Sequence, residues 1–241
     1  MAEKRGGLTA NALKLIAVAA MTLDHAAWAF VPTASLGGQL LHFIGRLTAP
    51  VMCFFVAEGY AHTRDVRRYA LRLALFAALS HLPFTFFSTD GFSFISETGV
   101  VFTLLLGLLA ILVWESSFSS AAKGVLITGI FVLSLAGDWS YFAVAWVLLF
   151  HIFRDDPRRR AIGFFTVALT ASLSLALSAA SRGVWWQGLF QFGVLAAYPL
   201  LRLYNGQRGR WNGRWFFYIY YPLHLVLLAL LRRYLWYGYL W

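Results

Sequence analysis

Lys14, Asp24 and His25 interrupt an otherwise apolar run, LKLIAVAAMTLDHAAWAF, from Leu13 to Phe30. An imidazole beside a carboxylate is a pairing suited to general-base work: the ring titrates near neutrality, and the carboxylate orients it or stabilises its cation. The same pair could equally lock a helix into a bundle through polar contacts. Successive helical residues point about 100° apart, so Asp24 either serves His25 or pairs elsewhere, with Arg46 as the natural partner. Arg46, in LLHFIGRLTAP, is always charged and needs a carboxylate or an anionic ligand. It can hold Asp24, stabilise a developing oxyanion, or bind a substrate carboxylate or phosphate. His224 follows Tyr220 and Tyr221 on a shared helical face, and His81 lies in a third apolar run. Glu58 and Lys14 form either a plain salt bridge or part of a site. HTRDVRRYALR, from His62 to Arg72, supplies Arg64, Arg67, Arg68 and Arg72, a basic rim able to hold phosphates. Cys53 reads as packing, and His42 and His151 as interfacial. No histidine pair with a carboxylate has metal-site spacing, and there is no Walker or dinucleotide loop. No metal is therefore expected.

The elements that must position these groups are membrane helices. Of the 241 residues, 60% are hydrophobic and 12% charged, and the mean hydropathy is +0.68. Soluble domains average roughly 45–50% apolar and 25% charged. Apolar runs recur from end to end without the alternation of a barrel strand, which predicts an all-α, polytopic transmembrane bundle. The spacing predicts nine spans, near 10–31, 39–61, 66–87, 97–114, 122–137, 139–153, 160–181, 184–203 and 214–235. The fifth and sixth, divided only around Gly137-Asp138, make eight an alternative. The first run lacks a small-residue cleavage site and reads as a retained span. No soluble domain or linker is evident, so residues 1–241 read as one transmembrane domain. A single cysteine excludes an intrachain disulfide.

The net charge of +10 does not indicate a nucleic-acid partner, because the basic residues cluster in short loops. With the N-terminus in the cytoplasm, only Arg182, Arg232 and Arg233 fall outside, and Lys14, Arg46 and Arg72 fall within spans. The remaining Lys and Arg, among them Lys4, Arg5, Arg154 and Arg214, lie inside. The positive-inside rule therefore favours nine spans, N-in and C-out. Trp185, Trp186 and the tail WYGYLW read as an interfacial aromatic belt. Depth along each helix then puts Asp24, His25, Arg46, His81 and His224 in an outer polar layer. Lys14, Glu58 and the rim arginines form an inner one. Such residues also suit a proton-coupled transporter, but no inverted repeat or matched pair of broken spans is present.

The chain resembles the TraX (F-pilin acetylation) family of integral membrane proteins. The likeness rests on LKLIAVAAMTLDHAAWAF, IGRLTAPVMCFFVAEGYAHTRDVRRYALRLALFAALSHLPF, TGVVFTLLLGLLAI and YYPLHLVLL. The resemblance implies a transmembrane acyltransferase of the bacterial inner membrane that moves acetyl from cytoplasmic acetyl-CoA to the N-terminal amine of a pilin-like peptide. A glycan hydroxyl at the outer face is the alternative acceptor. Asp24, His25, Arg46, Glu58, Thr63, Arg64 and His224 fall on the family pattern, with an intramembrane histidine, His25, expected as base or acetyl carrier. The chain departs from that pattern at Ala49, His81 and Gly99, positions that bear on the acceptor more than on the chemistry.

Overall fold

The structure, a computed structural model, describes residues 6–89, 91–92, 97–211 and 213–237. Lys4, Arg5, the side chain of Arg214 and residues 238–241 of the aromatic tail lie outside the described residues. Described residues form α-helices and one 3-10 helix, with two isolated bridges and no strand. The helices are α1 (Ala10–Phe30), α2 (Leu36–Gly45), α3 (Thr48–His62), α4 (Val66–Ser88), α5 (Val100–Glu115), α6 (Ser120–Ser134) and α7 (Ser140–Ile152). They continue with α8 (Pro157–Ser181), the 3-10 helix Trp185–Ala196, α9 (Ala197–Arg202) and α10 (Arg214–Tyr237). Two compact units alternate along the chain: residues 1–52 with 168–217, and residues 53–167 with 218–241.

Five helical stretches are long and apolar enough to cross a bilayer: Ala10–Phe30, Leu36–His62, Val66–Ser88, Pro157–Ser181 and Trp215–Trp236. Each coincides with an expected span. The apolar helices α5, α6 and α7 have 16, 15 and 13 residues. At about 1.5 Å per residue they fall short of the roughly 30 Å hydrocarbon thickness. The segment expected at 184–203 is not one α-helix but a 3-10 helix running into the short α9. Glycine at 188 and 193 lowers its helix propensity. Tertiary contacts also hold it: a Cβ on Gly188 would meet Ala176 Cα at 2.8 Å, and one on Gly193 would collide with the Phe43 carbonyl.

In the first unit α1 packs on α2, and α2 on the 3-10 helix. The start of α1 is anchored by the chain after α9. Its first donors would otherwise lack acceptors, since a helix leaves its first four N–H groups unsatisfied. Here Ala10 N–H donates to the Gln207 carbonyl at 2.8 Å and Asn11 N–H to the Arg208 carbonyl at 3.1 Å. The Thr9 hydroxyl caps the same turn, accepting from Ala12 N–H.

In the second unit α5 is central, packed by α4, α6 and α7. A Cβ on Gly107 would lie 2.7 Å from Val147, so glycine there lets α5 and α7 approach closely. Gly137-Asp138 does separate α6 from α7: the turn is held by Asp138 N–H to the Thr98 carbonyl and by the Thr103 hydroxyl to the Asp138 carbonyl. Trp139 and Ser140, which follow, both adopt positive φ.

The long helices show exposure opposite to that of a water-soluble fold. Ile219, Leu223, Leu227 and Leu231 form an exposed leucine-rich stripe on α10, and Leu71, Leu75 and Leu79 another on α4, each at i, i+4 spacing. Asp24, His42, Thr103 and His224 are buried. Contiguous exposed apolar stripes of this kind fit lipid rather than water. Leu223→Asp on α10 should therefore cost roughly 2.5–3.5 kcal/mol of insertion free energy. An insertion assay on the last helix would show the loss, whereas a water-facing stripe would be indifferent to the change.

Candidate functional site

The first unit holds a buried ionic cluster built from two helices. Asp24 comes from α1; His42 and Arg46, one helical turn apart, come from α2 and its C-cap. Residues at i and i+4 share a face, so the imidazole and the guanidinium reach one carboxylate. Arg46 Nη2 donates to Asp24 Oδ2 at 2.6 Å, and His42 Nδ1 donates to Oδ1 at 2.8 Å. An ionised carboxylate offers only acceptors, so this contact puts a hydrogen on Nδ1. Asp24 is 6% exposed and His42 0%.

Gly45 is what permits the approach. A Cβ at that position would collide with Asp24 Cβ and carboxyl group. Beyond Arg46 the chain turns and restarts as α3, whose Thr48 hydroxyl donates to the Ala17 carbonyl of α1 at 3.0 Å. The expected second span is thus broken at Arg46-Leu47. Pro50 lies in the first turn of α3, where its missing N–H costs no bond.

Two aromatic rings flank the imidazole. Trp28 of α1 has its centroid 4.2 Å from that of His42, and Phe190 of the 3-10 helix lies at 5.0 Å. Phe190 also sits 5.3 Å from the Arg46 guanidinium carbon, within cation–π range. The 3-10 helix is fixed in place by polar contacts. Gln39 Oε1 accepts from Phe190 N–H at 3.2 Å, and the Ser172 hydroxyl of α8 donates to the Gln191 carbonyl at 2.9 Å. A charged, hydrogen-bonded carboxylate walled by aromatics is suited to orienting a base.

The remaining expected residues are distributed as follows. His25 is half-buried on α1, next to Asp24 in sequence. Lys14 is half-buried, its ammonium 5.8 Å from the Phe217 ring. In the second unit, the Glu58 carboxylate is 3.5 Å from Arg154 Nε and 3.6 Å from His62 Nδ1. Arg64, Arg67 and Arg68 are exposed, and Arg68 is tied to Asp65 at 3.0 Å. Arg72 is half-buried with its guanidinium carbon 5.6 Å from the Tyr69 ring. His81 is half-buried. His224 is buried, donates from Nδ1 to the Tyr220 carbonyl at 2.9 Å and stacks on the Tyr220 ring at 5.2 Å. That stack agrees with the shared face expected for the two. His151, expected at an interface, is half-buried and 2.7 Å from Glu115.

His42, expected at an interface, is fully enclosed and shares a helical face with Arg46, four residues on. Among the described residues no group of three or more His, Cys, Asp or Glu is arranged to hold a metal.

A family model described as TraX protein matches residues 9–232. The chain belongs to the TraX family. It is also 33% identical over 240 residues to the "Probable fimbrial assembly protein FimC, serogroup H1" of Dichelobacter nodosus, covering 92% of this chain and 95% of the relative. No solved structure matches. Gly99 lies against Tyr221, where a Cβ would be 2.5 Å from the hydroxyl and 3.3 Å from Phe84, so a larger side chain there would make Tyr221 shift.

Removing one member of a buried ion pair leaves the other uncompensated, at a cost of about 3–5 kcal/mol. Arg46→Met should destabilise the protein on that scale, measured by thermal unfolding in detergent. Gly45→Val should do comparable damage by forcing α1 and α2 apart, while Gly37→Ala, a position with open space around it, should have little effect.

Proposed function

We propose that this TraX protein is a membrane-embedded acetyltransferase serving pilus or fimbrial assembly. Acetyl-CoA is the cytoplasmic donor, and the acceptor is an amine on a membrane-resident subunit. The observation that carries the reading is the buried Asp24 carboxylate, held between a guanidinium and an imidazole in a chain otherwise built for lipid. A charge of this kind in a transmembrane helix marks a working site by default. The fimbrial assembly role in the name of the 33% identical relative supports the setting.

The chemistry follows from residue types. Acyl transfer from a thioester to an amine needs a base for the amine proton and a positive group for the oxyanion. His25 supplies the base or acetyl carrier, with His224 as a further intramembrane imidazole. The exposed Arg64, Arg67 and Arg68 supply charge for the phosphates of coenzyme A, with Arg72 and Glu58 of the same unit beside them in the chain. The topology that fits this division of labour has nine spans, a cytoplasmic N-terminus and an inner-membrane location. No metal is required for the reaction.

Purified protein in nanodiscs, given labelled acetyl-CoA and a short apolar peptide with a free N-terminal amine, should yield N-acetylated peptide. Absence of label in any peptide or glycan product would overturn the enzyme. Charge reversal at Arg67 and Arg68 should raise the acetyl-CoA KM while leaving kcat within a factor of a few; an unchanged KM would remove these residues from the donor site. Topology is separately testable: in a Cys53→Ser background, a cysteine at Arg64 should be protected from an impermeant thiol reagent in intact cells, and one at Arg182 labelled.

A further inference from the structure

Two helices of the second unit begin in the same way. Asp65-Val66-Arg67-Arg68 opens α4, and Asp156-Pro157-Arg158-Arg159 opens α8. In each, the aspartate accepts from the backbone N–H three residues on, that of Arg68 or Arg159, at 2.9 Å. The same aspartate pairs with that arginine's Nε, at 3.0 Å in α4 and 3.3 Å in α8. The other arginine of each start, Arg67 or Arg158, is exposed and has no polar partner among the described residues, and Arg64 is in the same state. Against these free guanidiniums the two loops offer one unpaired carboxylate, Asp155. Glu58, near the end of α3, clasps the loops together. One of its oxygens lies 3.5 Å from Arg154 Nε, just ahead of α8, and the other 3.6 Å from His62 Nδ1, just ahead of α4. The Tyr60 ring meets the His151 ring edge-on at 5.1 Å, which sets the ends of α3 and α7 at one level. A positive-inside bias asks only for charge on one side of the membrane. It does not ask for a half-buried carboxylate that joins two basic loops.

Coenzyme A carries its negative charge in two separate groups, a diphosphate and the 3′-phosphate of its ribose. The diphosphate is joined to the pantetheine arm and has to lie nearer the bundle. The α3–α4 loop continues inward as a basic face, with half-buried Arg72 one turn beyond Arg68, whereas α8 turns apolar after Arg160. We propose that the donor site has two cationic halves. Arg64 and Arg67 take the diphosphate, and Arg158, from the α7–α8 loop, takes the 3′-phosphate. Glu58 is the positioning residue that sets one half against the other. This inference rests on the acetyltransferase reading above and adds to it a means of telling the donor from smaller acetyl thioesters. A phosphomonoester is close to a dianion at neutral pH, and a guanidinium can bind it through two parallel N–H donors.

The test measures binding of acetyl-CoA and of 3′-dephospho-acetyl-CoA to the full chain in nanodiscs by calorimetry. Acetyl transfer from labelled acetyl-CoA to the amine-bearing peptide is followed on the same preparation. Wild type should bind acetyl-CoA about tenfold or more tighter than the dephospho form, the scale of a charge-assisted hydrogen bond. Arg158→Gln should erase that ratio by weakening acetyl-CoA alone. Glu58→Gln should also lower it. Loss of a carboxylate charge would by itself favour the more anionic ligand, so a fall in the ratio reports lost positioning, and an unchanged ratio removes Glu58 from the site. Equal Kd values in wild type overturn the inference, as does an Arg158→Gln protein that keeps the wild-type ratio or weakens both ligands alike. In those cases acetyl transfer by wild type leaves the acetyltransferase reading standing. If wild type transfers acetyl to no acceptor, that reading fails and takes the inference with it. Arg158 is exposed, so the deciding variant does not depend on whether Glu58→Gln folds.

Discussion

The compensation of one buried carboxylate governs the first unit. Asp24 sits inside a largely apolar helix, and its charge is tolerable only with partners in place. Arg46 and His42 take one oxygen each, so α2 must lie against α1 at that level and in that rotational phase. Gly45 is the steric condition for the approach. The helix break after Arg46 follows in the same stretch, and Thr48 fixes the restarted helix to α1 through a backbone carbonyl. Loss of any of these would disturb the others, because they share a single contact surface.

The 3-10 helix extends that dependence to distant sequence. It carries Phe190 to the imidazole and the guanidinium, and it is fastened to α2 by Gln39 and to α8 by Ser172. Backbone groups that would have been consumed in a regular α-helix are instead spent on these tertiary bonds. An irregular segment within an apolar chain is tolerated where protein covers it, since hydrocarbon offers no hydrogen-bond partners. The aromatic wall and the irregular winding thus have one cause.

The second unit follows a different economy. Its core is packed through small residues and rings, such as Gly107 against Val147 and Trp146 against Phe164. Its charges gather where helices end: Glu58 with Arg154 and His62, and His151 with Glu115. The exposed arginines after α3 belong to this population.

The sequence by itself determined the class of fold, because hydropathy is a property of composition and every long apolar stretch had to become a helix in lipid. It also singled out Asp24 and Arg46, since a charge in such a stretch is conspicuous wherever it finally packs. The family was legible too, from the ordered motifs around those residues. What only the tertiary structure decided was which imidazole meets the carboxylate. His25 adjoins Asp24 in the chain, but adjacent helical side chains diverge; His42, on a separate helix, converges on it in space. The 3-10 character of residues 185–196 was likewise undecided, because local propensity there is weak and contacts with α2 and α8 set the winding. Periodicity reports which face a residue occupies, and only packing reports what that face meets.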